Sequence, residues 1–108
     1  MNDNQVVKPV VIDWISALLE DKAHRSKVKL NGQYVTYEIY KKMRDGNMLS
    51  IYIYLETEEG YVKEAQLLTS SGEVWAVKPF SIEKKDDGLI IAFQFDIEVR
   101  ERGASDGI

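Results

Sequence analysis

Few side chains in this sequence could do chemistry, and their spacing limits what that chemistry could be. The one imidazole, His24, stands four residues after Glu20 and eleven after Asp13. On a helix these three would line one side as possible metal ligands. At about 1.5 Å of rise per residue, however, they would spread over about 16 Å, too far for one ion. A histidine near a helix C-terminus is also favoured by the helix dipole alone. Nucleophilic catalysis needs a hydroxyl beside a base, yet Ser70-Ser71-Gly72 reads as a turn with no helix pattern after it. The acidic pairs Glu58-Glu59 and Asp86-Asp87 fall where loops are expected, as solvated turn carboxylates rather than a converging acid and base. The chain has no cysteine, which excludes disulfides and thiolate metal sites. No catalytic, cofactor-binding or metal-ligating residue is therefore assigned, and the chain reads as a non-enzyme without a cofactor.

Binding surfaces are better represented than reactive groups. Lys41, Lys42 and Arg44 stand beside Tyr37 and Tyr40, a basic and aromatic mixture of the kind that stacks single-stranded nucleic acid. Asp45 and Glu38 lie among them, and the net charge is −4 with both signs interspersed, so a solvated hairpin end is expected and no nucleic-acid partner. Tyr34, Tyr40, Tyr52 and Tyr54 fall on the second face of two expected strands, together with Thr36 and Ser50. Phenols combine apolar area with a polar tip and are enriched at protein interfaces. If the helix covers them they are core; if it lies elsewhere they form a contact surface. Trp75, near Pro79 and Phe80, marks a second contact point, with a core tryptophan as the competing reading. The candidate interface residues are thus Tyr34, Tyr40, Tyr52, Tyr54, Trp75 and Phe80.

The elements that would position these residues follow from periodicity. Pro9 suits the first turn of a helix, and Val11, Trp14, Ile15, Leu18 and Leu19 form an apolar stripe over about Pro9 to His24. Five glycines then punctuate the chain: Asn31-Gly32, Asp45-Gly46, Glu59-Gly60, Ser71-Gly72 and Asp87-Gly88. Read as hairpin bends, they separate strands near Lys27–Leu30, Gln33–Met43, Leu49–Leu55, Tyr61–Leu68, Glu73–Lys84 and Leu89–Val99. Apolar residues on both faces of the fourth strand predict a bulge there, and Pro79 predicts a bulge, break or edge in the fifth. The expected fold is α+β and mainly β: an N-terminal helix followed by a six-stranded antiparallel meander forming a curled sheet or small barrel. Residues 9–100 make one domain, between flexible tails at 1–8 and 101–108. The long last strand needs a partner, either the first strand or another subunit. With no signal-peptide pattern and no run of about 20 apolar residues, synthesis in the cytoplasm and no membrane contact are expected.

Part of the C-terminal half resembles a known class of module. Lys63-Glu64-Ala65-Gln66-Leu67-Leu68, the stretch Ser71-Gly72-Glu73-Val74-Trp75-Ala76-Val77-Lys78-Pro79, and Gly88-Leu89-Ile90-Ile91-Ala92-Phe93 are similar to small β-modules in tail and baseplate proteins of phages of Gram-positive bacteria. The likeness lies in the cadence of strands and turns, includes no diagnostic motif, and leaves the helix out. It implies a small virion subunit, made in a bacterial cytoplasm, that binds copies of itself and neighbouring tail components. The functional expectation is a structural or interaction protein with protein partners, a homo-oligomer without a small-molecule substrate. The alternative is a β-barrel that binds a small molecule or peptide beneath the helix, although six strands enclose little space once side chains fill them.

Overall fold

The computed structural model describes residues 7–102, so the expected tails at 1–8 and 101–108 lie mostly outside the described residues. A helix, α1 (Pro9–Lys22), precedes seven strands: β1 (Arg25–Leu30), β2 (Gln33–Glu38), β3 (Lys41–Asp45), β4 (Met48–Leu55), β5 (Gly60–Leu68), β6 (Val74–Lys84) and β7 (Leu89–Asp96). The class is α+β and mainly β, as the periodicity predicts. The topology differs from the predicted meander. All pairings are antiparallel, but they build two open sheets, of order β2-β1-β5-β6 and β3-β4-β7. Neither a single curled sheet nor a barrel forms.

The reason lies in what the glycines do. Asn31-Gly32, Asp45-Gly46 and Ser71-Gly72 are hairpin bends joining paired neighbours. Glu59-Gly60 and Asp87-Gly88 instead carry the chain from one sheet to the other, so β5 pairs back onto β1 and β7 onto β4. A third crossing has no glycine at all. It divides the expected strand Gln33–Met43 at Ile39-Tyr40, where the inward positions change parity. Tyr37 pairs with the buried Ser26 on β1, whereas Lys42 and Arg44 pair with the buried Ile51 and Leu49 on β4. On one unbroken strand Met43 would share a face with Tyr37 and Ile39; with the change of parity it points outward instead.

Inside, one apolar slab is shared by both sheets. The alternation of β4 buries Leu49, Ile51, Ile53 and Leu55 completely, against Val28, Val62, Ala65 and Leu67 of the larger sheet and Ile91 and Phe93 of β7. The predicted bulge in β5 lies between Val62 and Glu64, which lets Val62 and Ala65 both face inward. Pro79 sits opposite Glu64 on β6, an edge strand, where a missing backbone donor is tolerated.

The helix bridges the two sheets. Ile12, Ile15 and Leu19 pack on the core with the buried Ser16, while Trp14 and Leu18, expected on the inward stripe, are 64% and 55% exposed. Its placement follows from its anchors. The Lys42 ammonium donates to the Glu20 carbonyl at 2.6 Å, and Arg44 donates to the Asp13 carbonyl at 3.2 Å, both from the smaller sheet. From the larger sheet, the Trp75 indole N–H donates to the Lys22 carbonyl at 3.0 Å, and Leu68 accepts from the His24 backbone N–H at 2.9 Å. These contacts turn the stripe toward Ile12, Ile15, Ser16 and Leu19.

One crossing is held by a buried cation. Lys84, at the end of β6 and 4% exposed, donates to the backbone carbonyls of Glu56, Glu58 and Lys85 at 2.5–2.8 Å, so all three ammonium hydrogens are used. Replacing Lys84 with Met leaves the crossing carbonyls without their donor. Lys84→Met is expected to lower unfolding free energy by roughly 3 kcal/mol. An unchanged urea midpoint would show that the crossing does not depend on this side chain.

Candidate interaction face

The register of the smaller sheet determines what its outer side displays. Residues paired across antiparallel strands share a face, so Met43, Ser50 and Gln94 lie in one row, and Lys41, Tyr52 and Ala92 in another. Further along β4, Tyr54 is paired with Ile90, and at the other end Met48 is paired with Asp45 and Asp96. Tyr40 joins the same surface: its backbone N–H donates to the Tyr52 carbonyl at 2.8 Å, and its ring meets that of Tyr54 at 5.4 Å between centroids, tilted by 42°. The Tyr54 ring also lies over Gly88, where an added Cβ would come within 2.6 Å of the phenol oxygen. A glycine is thus needed beside Tyr54 for close approach rather than for a hairpin bend.

Helix α1 does not cover this side, because its anchors Lys42 and Arg44 belong to the inward face of β3. Tyr40 is left 59% exposed and Ile90 54%, with Met43, Met48 and Tyr54 exposed beside them. Exposed apolar side chains scattered singly are ordinary; a contiguous set on one sheet face points to a contact surface.

The predicted interface residues divide among different places. Tyr40, Tyr52 and Tyr54 come together on the outer side of the smaller sheet. Tyr34 does not: it lies on the outer side of the larger sheet, where its hydroxyl donates to Glu64 at 2.7 Å and the Lys29 ammonium sits 5.6 Å from its ring centroid. The same carboxylate accepts from Gln66 at 2.7 Å. Hydrogen bonding to the Glu64 carboxylate raises the Tyr34 phenol, while the bond from Tyr34 lowers Glu64. Trp75 and Phe80 are partly buried against the core, and Trp75 stacks on Phe95 at 5.5 Å, so both serve packing. Met43, Met48 and Ile90 were not singled out by sequence reasoning. For Ile90 a signal existed, since it is an isoleucine on the otherwise polar side of the last strand.

The residues considered for chemistry do not converge. The Arg44 guanidinium lies 3.7 Å from the Glu20 carboxylate and donates to the backbone carbonyl of Asp13, not to its carboxylate, and His24 lies beyond the helix end. Among the described residues, no three His, Asp or Glu side chains gather in a group able to hold a metal ion. Ser71 sits in a tight turn in which its hydroxyl meets that of Thr69 at 3.0 Å and Gly72 N–H donates to the Thr69 carbonyl at 3.0 Å. With Lys42 and Arg44 turned inward to the helix, the basic and aromatic cluster is divided as well. An open depression lined by Asn31, Tyr61, Glu83 and Lys84 lies beside the β4–β5 crossing, but the Lys84 hydrogens are already taken by carbonyls.

No family model matches this chain, and neither a curated protein nor a solved structure matches it. Among the described residues, no helix is long and apolar enough to cross a membrane.

Near the Lys84 crossing, the buried Tyr37 hydroxyl and Glu58 Oε1 influence one another electrostatically, although neither has a hydrogen-bond partner of ordinary geometry among the described residues. The backbone N–H of Glu58 itself does most to hold Glu58 below its usual 4.5; burial opposes it, and the Tyr37 hydroxyl, the Glu56 backbone and the Lys84 charge add smaller lowering effects. Burial and the Glu58 carboxylate push the Tyr37 phenol up. A carboxyl lowered on folding contributes stability that is present above its unfolded value and is lost as pH falls through the folded value. Stability is therefore expected to fall below about pH 4.5 partly through Glu58, and Tyr37→Phe to move Glu58 back toward the usual range. Carboxyl-detected NMR titration checks this, and an identical Glu58 midpoint in both proteins would refute it.

Proposed function

We propose that this chain is a non-enzymatic interaction protein that docks a folded protein partner on the outer side of the β3-β4-β7 sheet. The observation that carries the reading is the exposed group Tyr40, Tyr54 and Ile90 at one end of this side, with Met43 and Met48 exposed toward the other and the half-buried Tyr52 between them, on a face that the chain's own helix leaves open. Tyrosine and methionine are enriched in the cores of protein interfaces, where charge is depleted, and here the charged outward positions stand at the ends of the strands.

The resemblance of the segment from Lys63 to Phe93 to phage tail and baseplate modules implies a subunit of a larger virion assembly. A docking face of this kind is the physical form such a role would take. The barrel alternative has less support: the sheets stay open, and side chains of β4 and its neighbours occupy the space between them.

Met48→Lys combined with Ile90→Lys places two cations on the face away from the core and from the Tyr54–Gly88 contact, so the melting temperature is expected to shift by no more than a few degrees. Recovery of stoichiometric partners from a lysate of the native source should fall at least tenfold, whereas Trp14→Lys on the exposed helix side should leave it unchanged. Equal recovery by wild type and the double variant would refute the reading.

A further inference from the structure

Open sheets leave backbone groups unpaired at their edges, and natural proteins charge, interrupt or cover such edges. Three of the four edges here are blunted by their own strands. β3 has five residues, four of them charged, and two of those, Lys42 and Arg44, point inward to the helix. β6 slips register twice against β5 and contains Pro79. β2 is exposed along almost its whole length, so an added strand would find no apolar flank to cover there. β7 is different. Its eight residues keep one register with β4, from Asp96 opposite Met48 to Leu89 opposite Leu55, and hold no charge before Asp96. Nor does it close on β1, which lies between β2 and β5.

The ladder fixes which backbone groups of β7 are free. Ile97 continues the same register and donates its N–H to the Asn47 carbonyl at 2.8 Å, on the β4 side. Backbone groups of successive strand residues point to opposite sides, so Phe95, Phe93 and Ile91 also bond toward β4. Ile90, Ala92 and Gln94 then turn their N–H and C=O groups to the open edge. One of these groups is occupied from the other sheet. Lys78 stands at an inward position of β6, opposite the buried Ala65, and its ammonium donates to the Ala92 carbonyl at 2.7 Å. The same ammonium lies 5.6 Å from the centroid of the half-buried Phe80 ring.

We infer that the β7 edge takes an extended segment of a partner protein as an added strand, and that this segment carries a carboxylate at the position facing Lys78. In strand addition the main chain supplies the bonds and alternate side chains supply the selectivity. A partner residue paired with Ala92 keeps its side chain on the outer side, and its two neighbours point inward, toward the Lys78 ammonium and Phe80. When a partner N–H takes over the Ala92 carbonyl, Lys78 loses its acceptor. A carboxylate at one inward position replaces it with a charge-assisted bond, and an apolar side chain two residues along covers Phe80. A basic or apolar residue in place of the carboxylate leaves the ammonium without an acceptor. Charge argues against the β7 strand of a second copy as the occupant. On its inward side β7 offers Ile91, Phe93 and Phe95 and no carboxylate, and two-fold pairing would bring two Lys78 ammonium groups to one seam. The site lies beside the sheet, so its occupation does not depend on what covers the outer side.

The probe is a capped heptapeptide of alternating threonine and valine whose central valine is replaced by glutamate, with a lysine version as its control. Titrated to about 2 mM into the isotope-labelled full chain, the glutamate peptide should shift the amide signals of Ile90, Ala92 and Gln94 saturably and slow their hydrogen exchange. It should bind about fivefold or more tightly than the lysine peptide. The net charge of −4 favours the lysine peptide, so general attraction cannot produce that order. Lys78→Glu should reverse the preference, and Lys78→Gln should bring the two peptides within about twofold of each other, both at an exposed position that leaves the melting temperature within a few degrees. No shift at the three amides by 2 mM overturns the inference, and so does equal binding of both peptides to wild type. Protection of the same amides that grows with protein concentration in the absence of peptide identifies a second copy as the occupant and overturns it too. Shifts confined to Tyr40, Met43 and Tyr54 place the peptide on the outer side and refute the edge site while leaving the docking reading intact.

Discussion

The architecture depends on the complete burial of one face of β4. Leu49, Ile51, Ile53 and Leu55 are shut off from solvent together, each such side chain contributing about 1.5–3 kcal/mol relative to exposure. A three-stranded sheet cannot shield that row by itself. The larger sheet supplies the cover through Val28, Val62, Ala65 and Leu67, and the need to bring it opposite β4 is what sends the chain across three times. A meander would leave consecutive strands side by side and the β4 face uncovered.

Each crossing is stabilised differently. At β2–β3 the alternation changes parity around Ile39 and Tyr40, so the chain turns the corner without glycine. At β4–β5, Lys84 gathers the crossing carbonyls. The Asn31 side chain accepts from Tyr61 N–H at 3.0 Å and donates to the Glu59 carbonyl at 3.2 Å. The Asn31 side chain occupies the space where a Cβ on Gly60 would lie, and Gly60 has φ 147°, a value that L side chains rarely adopt. At β6–β7, Gly88 makes room for the Tyr54 ring. A buried ammonium, a side-chain amide and a close aromatic contact thus do the work that hairpin geometry does elsewhere in the chain.

The outer side of the smaller sheet is open as a consequence. Lys42 and Arg44 sit at inward positions and hold the helix carbonyls, which draws α1 between the sheets and away from Tyr40, Tyr52 and Tyr54. The polar network of Tyr34, Glu64 and Gln66 gives the outer side of the larger sheet a different character, with hydroxyl, carboxylate and amide satisfying one another. The two outer sides therefore differ in chemistry although both carry tyrosine.

Local features were legible where one residue's neighbours in sequence are also its neighbours in space. The alternations of β4 and β7, the bulge in β5, the edge position of Pro79 and the Asn31-Gly32 bend all follow from side-chain periodicity and backbone sterics, and so does the outward placement of Tyr52 and Tyr54. Where the helix lies was not legible, because Trp14 and Leu18 of the expected apolar stripe are turned outward by the hold of Lys42, Arg44 and Trp75 on helix carbonyls, and those three residues are remote in sequence. The division of the tyrosines was hidden for the same reason: Tyr34 and Tyr40 lie six residues apart on one expected strand, and only the parity change between them sends them to different sheets. By itself, then, the sequence determined that the chain is an amphipathic helix followed by antiparallel strands, since period and composition are local properties. Tertiary structure decided which glycines turn and which cross, which sheet each strand joins and which aromatic residues stay exposed, because those outcomes depend on covering the β4 face, and its cover comes from residues distant along the chain.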